Sequence, residues 1–190
     1  MERRELLKMI VAATGAAMVG LPALVQAQAP VAGAKALFSV TDVATLDEIA
    51  ETILPRTKTP GAKDAGAGAF MAKFVTDCYT ARQQAAFRAG LAEIDKRAGG
   101  RFVSLTPQAR TELLRALDAE ARKHIIDLTD TGTAKAADAM PHPFTMLKQL
   151  TIFGFFTSQV GANDVLRYVA VPGRYEDTTY VPGTPAWATS

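Results

Sequence analysis

Between Thr41 and Val169 apolar residues return every three or four positions, in runs separated by prolines and glycines. That spacing lines them up along one stripe of a helix, and no stretch alternates apolar and polar residues as a half-buried strand does. The first run predicts a helix over Thr41–Leu54, opened by Thr41 and Asp42, with Leu46, Ile49, Ala50, Ile53 and Leu54 on one face. Thr45 and Glu48 also have capping-box spacing, so the start is open by one turn. Pro55 ends the run, because proline disfavours helical geometry in the residue before it. A turn at Thr57–Gly61 leads to a second helix over Ala67–Cys78, whose stripe of Phe70, Phe74 and Cys78 makes Cys78 an expected small buried residue. A third covers Ala81–Ala98, with Phe87, Leu91 and Ile94 inward and Gly99-Gly100 as its stop. Thr106-Pro107 is an N-cap followed by a first-turn proline, and Leu113, Leu114, Leu117 and Ala121 mark the buried face behind it.

Residues 129–142 lose this periodicity and read as a loop. Pro143–Thr157 is the most apolar segment of the exported chain, Gly161 interrupts it, and Asn163–Val169 is expected as a short closing helix. Beyond Val171 three prolines and two glycines forbid a long regular element. The expected fold is all-α: a single irregular helical bundle over residues 28–170 with an extended C-terminal arm over 171–190.

The first 27 residues read as an address. A charged start precedes an uncharged run from Met9 to Leu24, and Val25-Gln26-Ala27 offers small residues where a signal peptidase cuts, after Ala27. Arg3 and Arg4, followed by Leu6, Leu7 and Lys8, resemble a twin-arginine signal, with Glu2 in place of the usual hydroxyl residue and Leu6 in place of Phe. The run before Pro22 is short for a membrane span of about 20 residues. The expected location is the periplasm, reached in the folded state.

Composition narrows the chemistry. The 190 residues carry 21 Lys+Arg against 19 Asp+Glu, and removing residues 1–27 takes away three basic and two acidic residues, leaving 18 against 17. Such a neutral chain lacks the basic stripe of a nucleic-acid surface. One cysteine excludes an intrachain disulfide, a Cys-rich zinc site and an iron–sulfur cluster. His124 and His142 are 18 residues apart with no supporting ligand pattern, so no metal site is expected. Gly66-Ala67-Gly68 begins like a dinucleotide fingerprint, but Met71 holds the third glycine position and no strand precedes it. There is no Cys-x-x-Cys-His for a c-type haem. Ser158 and Cys78 have no histidine nearby in sequence, and Asp127, Asp130 and Asp138 lie in or near the 129–142 loop. No catalytic, cofactor or metal residue is assigned.

Three stretches resemble the gluconate 2-dehydrogenase subunit 3 family: Leu46-Asp47-Glu48-Ile49-Ala50-Glu51-Thr52-Ile53-Leu54-Pro55 with Thr59-Pro60-Gly61-Ala62; Leu150-Thr151-Ile152-Phe153-Gly154-Phe155-Phe156-Thr157-Ser158 with Gly161; and Val171-Pro172-Gly173-Arg174-Tyr175. The resemblance implies a small, non-catalytic, gamma-type subunit of a periplasmic sugar or sugar-acid dehydrogenase. In such complexes FAD sits in a large flavoprotein of the glucose–methanol–choline type, and a membrane-bound c-type cytochrome with haem c often takes the electrons onward. Candidate partner contacts are Pro60, Gly61, Phe155 and Phe156 in these stretches, and Tyr175, Tyr180 and Trp187 on the arm, where prolines lower the ordering cost of binding. The rival readings are a free-standing periplasmic helical protein that binds a small ligand or a folding client, and an independent enzyme using carboxylates such as Asp127, Asp130 and Asp138.

Overall fold

A computed structural model describes residues 37–130, 139–171, 173, 179 and 181–188, so the export signal Arg3, Arg4, Leu6, Leu7 and Lys8 and the cut site Ala27 lie outside the described residues. The fold is all-α. Among the described residues five α-helices follow in chain order: α1 (Val40–Ile53), α2 (Ala67–Cys78), α3 (Ala81–Arg97), α4 (Pro107–Asp130) and α5 (Pro143–Phe156). A 3-10 turn (Phe102–Ser104) joins α3 to α4, and a π-turn (Gly161–Val165) follows α5. Among the described residues the sole β pairing is an isolated parallel bridge between Arg167 and Trp187.

Caps explain most boundaries. Ser39 starts α1, accepting from the Asp42 amide at 3.1 Å while the Asp42 carboxylate accepts from the Ser39 amide at 2.8 Å. The start therefore precedes Thr41, and Thr45, the other capping candidate, instead bonds back to the Thr41 carbonyl at 3.1 Å. Thr80 and Gln83 form a second capping box at the start of α3. Gly99, at φ 70, terminates that helix in left-handed geometry. Helix α4 runs on to Asp130, so residues 129 and 130, expected in the loop, are helical; residues 131–138 lie outside the described residues.

α5 is the central element. Phe144, Met146, Leu147, Leu150, Thr151, Gly154 and Phe155 are all buried, covering more of its circumference than a surface helix buries. It packs against each of α1 to α4, and α1 pairs most closely with α2. Phe87, Phe102, Leu46, Ile49, Met71 and Ile94 complete a single core, each large side chain contributing about 1.5–3 kcal/mol when buried. Gly154 lets α2 approach, since a Cβ there would sit 2.5 Å from the Phe70 ring.

Three expectations are corrected here. The buried stripe of α2 is Ala67, Gly68, Met71 and Val75 rather than Phe70, Phe74 and Cys78. Cys78, the last residue of that helix, lies beyond the stripe and is exposed. The closing helix expected over Asn163–Val169 is the π-turn, which begins at Gly161; its backbone lies so close to the Phe155 carbonyl that a Cβ would collide with it.

Candidate functional site

The loop after α1 is held by carboxylates from below. Glu51 accepts from the backbone amides of Arg56 (2.8 Å) and Lys63 (2.9 Å). Gly61 is buried under that carboxylate, where a Cβ would come within 2.5 Å of both oxygens. Pro60 beside it is half-buried. Asp64 accepts from the Gly61 amide at 2.8 Å and pairs with Arg56. The Gly61 amide, with Arg56 adding to it, holds the Asp64 carboxyl below the usual range. Partial burial pushes Glu48 upward, but Lys63 and Arg110 beside it outweigh that and keep it low. The Arg110 guanidinium reaches Glu48 at 2.5 Å and the Val103 carbonyl at 2.5 Å. Asp64 and Glu48 are thereby held ionised, and Glu51 is engaged by two backbone amides, which suits anchoring.

Asp47 bears on the Gly66-Ala67-Gly68 stretch. Its carboxylate accepts from the Gly68 amide at 2.8 Å, and a Cβ on Gly68 would collide with it. Gly66 holds φ 65 as the N-cap of α2. The amide that a pyrophosphate would need at this helix start already serves α1–α2 packing.

His124 and His142, remote in sequence, come together, their ring centroids 6.0 Å apart. His142 caps α5, its Nδ1 accepting from the Phe144 amide at 3.2 Å. His124 Nε2 lies 3.1 Å from the Met140 carbonyl. Burial pushes the His142 pKa below 6.5 and His124 adds to that, while Glu120 works against it. A cleft of about 300 Å³ opens beside His142, walled by Gly90, Ile94, Arg97 and Phe144. Arg97 is already paired, with Glu93 at 2.9 Å and Glu120 at 2.6 Å. Among the described residues no three His, Cys, Asp or Glu side chains gather as a metal site. The histidine contact has no sequence signal, because it depends on how α5 returns against α4.

The other distinctive region is aromatic. Phe153 stacks against Phe70 (5.7 Å) and Phe74 (5.8 Å), yet is 48% exposed, and Ile152 beside it is 40% exposed. Phe155, named among the candidate contacts, is 4% exposed and packs in the core, while Ile152 and Phe153 are the large apolar residues of this helix that are exposed. Phe156 is half-buried against Phe155, with ring centroids 5.1 Å apart. Ser158 donates to the Phe155 carbonyl at 2.6 Å and accepts from the Gly161 amide at 2.9 Å, an arrangement that shapes the turn. On the arm, Trp187 is half-exposed under the Arg167 guanidinium, 4.1 Å from the ring centre. Tyr175, Tyr180 and Asp138 lie outside the described residues, and Asp127 sits exposed on the last turns of α4.

Fold and surface together define a small all-α domain with a loop anchored by carboxylates and an aromatic outer face. Residues 41–173 match the family model described as gluconate 2-dehydrogenase subunit 3. The chain belongs to the gluconate 2-dehydrogenase subunit 3 family. Comparison with curated proteins and with solved structures finds no match. Among the described residues no helix is long and apolar enough to cross a membrane.

Proposed function

We propose that this chain is the non-catalytic accessory subunit of a periplasmic FAD-dependent sugar or sugar-acid dehydrogenase. It stabilises a flavoprotein of the glucose–methanol–choline type and supplies the twin-arginine signal that exports both chains. Family membership over residues 41–173 carries this reading. Two features of the site support it. The acids of the first family-like stretch are engaged with backbone amides and cations, and the Gly68 amide is bonded within its own domain. The partner would hold FAD, which would supply the hydride-transfer chemistry, and this chain would contribute stability and export rather than a reacting group. Because that flavoprotein loads FAD in the cytoplasm, it crosses the membrane folded, and one signal at Arg3-Arg4 serves an assembled pair. A c-type cytochrome subunit that carries electrons onward fits the same assembly.

The test is the double variant Arg3→Lys, Arg4→Lys in the native host, with both chains followed by fractionation. Retention of this chain and of the flavoprotein in the cytoplasm is expected. A flavoprotein that still reaches the periplasm refutes shared export. Flavin absorption in this chain purified alone refutes the accessory role.

A further inference from the structure

Among the described residues, seven of the ten exposed large hydrophobic side chains fall between Ile152 and Trp187. From Gln149 to Asn163 the chain carries no charged residue at all. Two shallow grooves meet there at Phe156 and Thr157. One, of about 370 Å³, runs beside Ile152 and Phe153; the other, of about 310 Å³, reaches Asn163 and Tyr168. The outer faces of the other elements differ. The loop after α1 is laced by ion pairs, and α4 exposes Glu112, Arg115, Arg122 and Lys123.

A clasp borders this neutral face. The Arg167 amide donates to the Ala186 carbonyl at 2.8 Å, and the Ala188 amide donates to the Arg167 carbonyl at 3.0 Å. A turn at Gly183, φ 84, with the Thr184 amide on the Val181 carbonyl at 3.2 Å, brings Trp187 back under the Arg167 guanidinium. The cation beside the grooves is thereby covered by indole. One surface cation–π contact and two hydrogen bonds are a weak closure for a loop of this length.

We propose that the face from Ile152 and Phe153 across Phe156 to Tyr168, bordered by the Arg167–Trp187 clasp, seats the larger subunit of the complex. The proposal rests on the accessory-subunit reading above. A subunit contact needs on the order of 800 Å² per partner, with a core that is aromatic and poor in charge. Half-exposed aromatic rings bring on the order of 100 Å² each, so this face supplies the core of such a contact and the charged faces do not. The complementary chemistry is an uncharged apolar patch on a folded subunit, with Thr157, Gln159 and Asn163 offering hydrogen bonds at the rim.

The test uses the full chain, tagged and produced in its native host, with co-eluting flavin absorption and the larger polypeptide as the readout. Ile152→Asp and Phe153→Asp are expected to lower the flavin recovered at least tenfold, as for a central apolar anchor. Trp187→Ala is expected to lower it severalfold. Ile126→Asp, on an exposed α4 position, should match the unmodified chain. Ile152 makes no ring stack, so its variant, with an unchanged melting temperature of the isolated subunit, separates docking from folding. Undiminished flavin recovery with both Ile152→Asp and Phe153→Asp overturns the proposal. So does an isolated chain that is a dimer and becomes monomeric on Ile152→Asp while flavin recovery holds, since the face then pairs two copies. If the unmodified chain recovers no flavin-bearing subunit, the accessory reading itself fails, and this proposal with it.

Discussion

Replacing Glu51 tests whether the first family-like stretch is an anchor for its own loop. The carboxylate accepts two backbone amides, Arg56 at 2.8 Å and Lys63 at 2.9 Å, and covers buried Gly61. Hydrogen bonds to a charged acceptor contribute about 1.5–3 kcal/mol when well shielded. Glu51 is half-buried and the loop is exposed, so water recovers part of each bond, leaving about 1 kcal/mol apiece. Glu51→Ala is therefore expected to cost about 2 kcal/mol, a fall of about 4–8 °C in melting temperature for a domain of this size. Glu51→Gln keeps one acceptor and turns an amide toward the other donor, so it should recover no more than half of that loss. Far-UV circular dichroism of the purified chain gives the global number. Trypsin gives the local one, because Arg56 and Lys58 lie exposed in this loop. The loss should persist at high salt, since backbone amides rather than distant charges are its source. A Glu51→Ala chain that melts within about 1 °C of the parent, with unchanged cleavage, would refute the anchoring argument.

Two further outcomes follow from the geometry. The folded His142 pKa lies below 6.5, so the unfolded chain binds that proton more readily; stability present at neutral pH should decline as pH falls through about 6.5 toward the folded value. His142→Asn, another capping residue, should flatten this slope in urea titrations at two pH values, and an unchanged slope would exclude His142 as its source; the cap itself is worth about 1 kcal/mol. Gly161→Ala places a methyl group against the Phe155 carbonyl and should cost about 1–3 kcal/mol, and a thermal melt indistinguishable from the parent would show that the turn yields.

Helix boundaries were legible where the stop is local chemistry. Pro55, Gly99, Thr106-Pro107 and Pro143 act on the residues next to them whatever the tertiary structure. The start of α1 falls at Ser39 because two successive pairs of hydroxyl and acidic residues, Ser39–Asp42 and Thr45–Glu48, satisfy the capping pattern, and burial of Thr45 turns its hydroxyl to the Thr41 carbonyl. α2 carries two apolar stripes, and periodicity alone does not say which faces inward. The smaller side chains of Ala67 and Gly68 decide it, because only they allow α1 to come as close as the Asp47–Gly68 bond requires.

The same ambiguity is larger on α5 and bears on function. A helix apolar on nearly every side gives no moment to orient it, so Phe153 and Phe155 look equivalent in sequence. Packing separates them: Phe155 enters the core, while Phe153 lies over Phe70 and Phe74 at the surface. The inward choice of Met71 on α2 and the outward choice of Phe153 on α5 are thus one event, since the Phe70–Phe74 stripe left outside by the first is what the second stacks upon. A soluble domain rarely leaves such a face bare. Aromatic residues rejected by the core, uncharged from Gln149 to Asn163 and bordered by an indole held under Arg167, form the surface on which a subunit that needs a partner can find one.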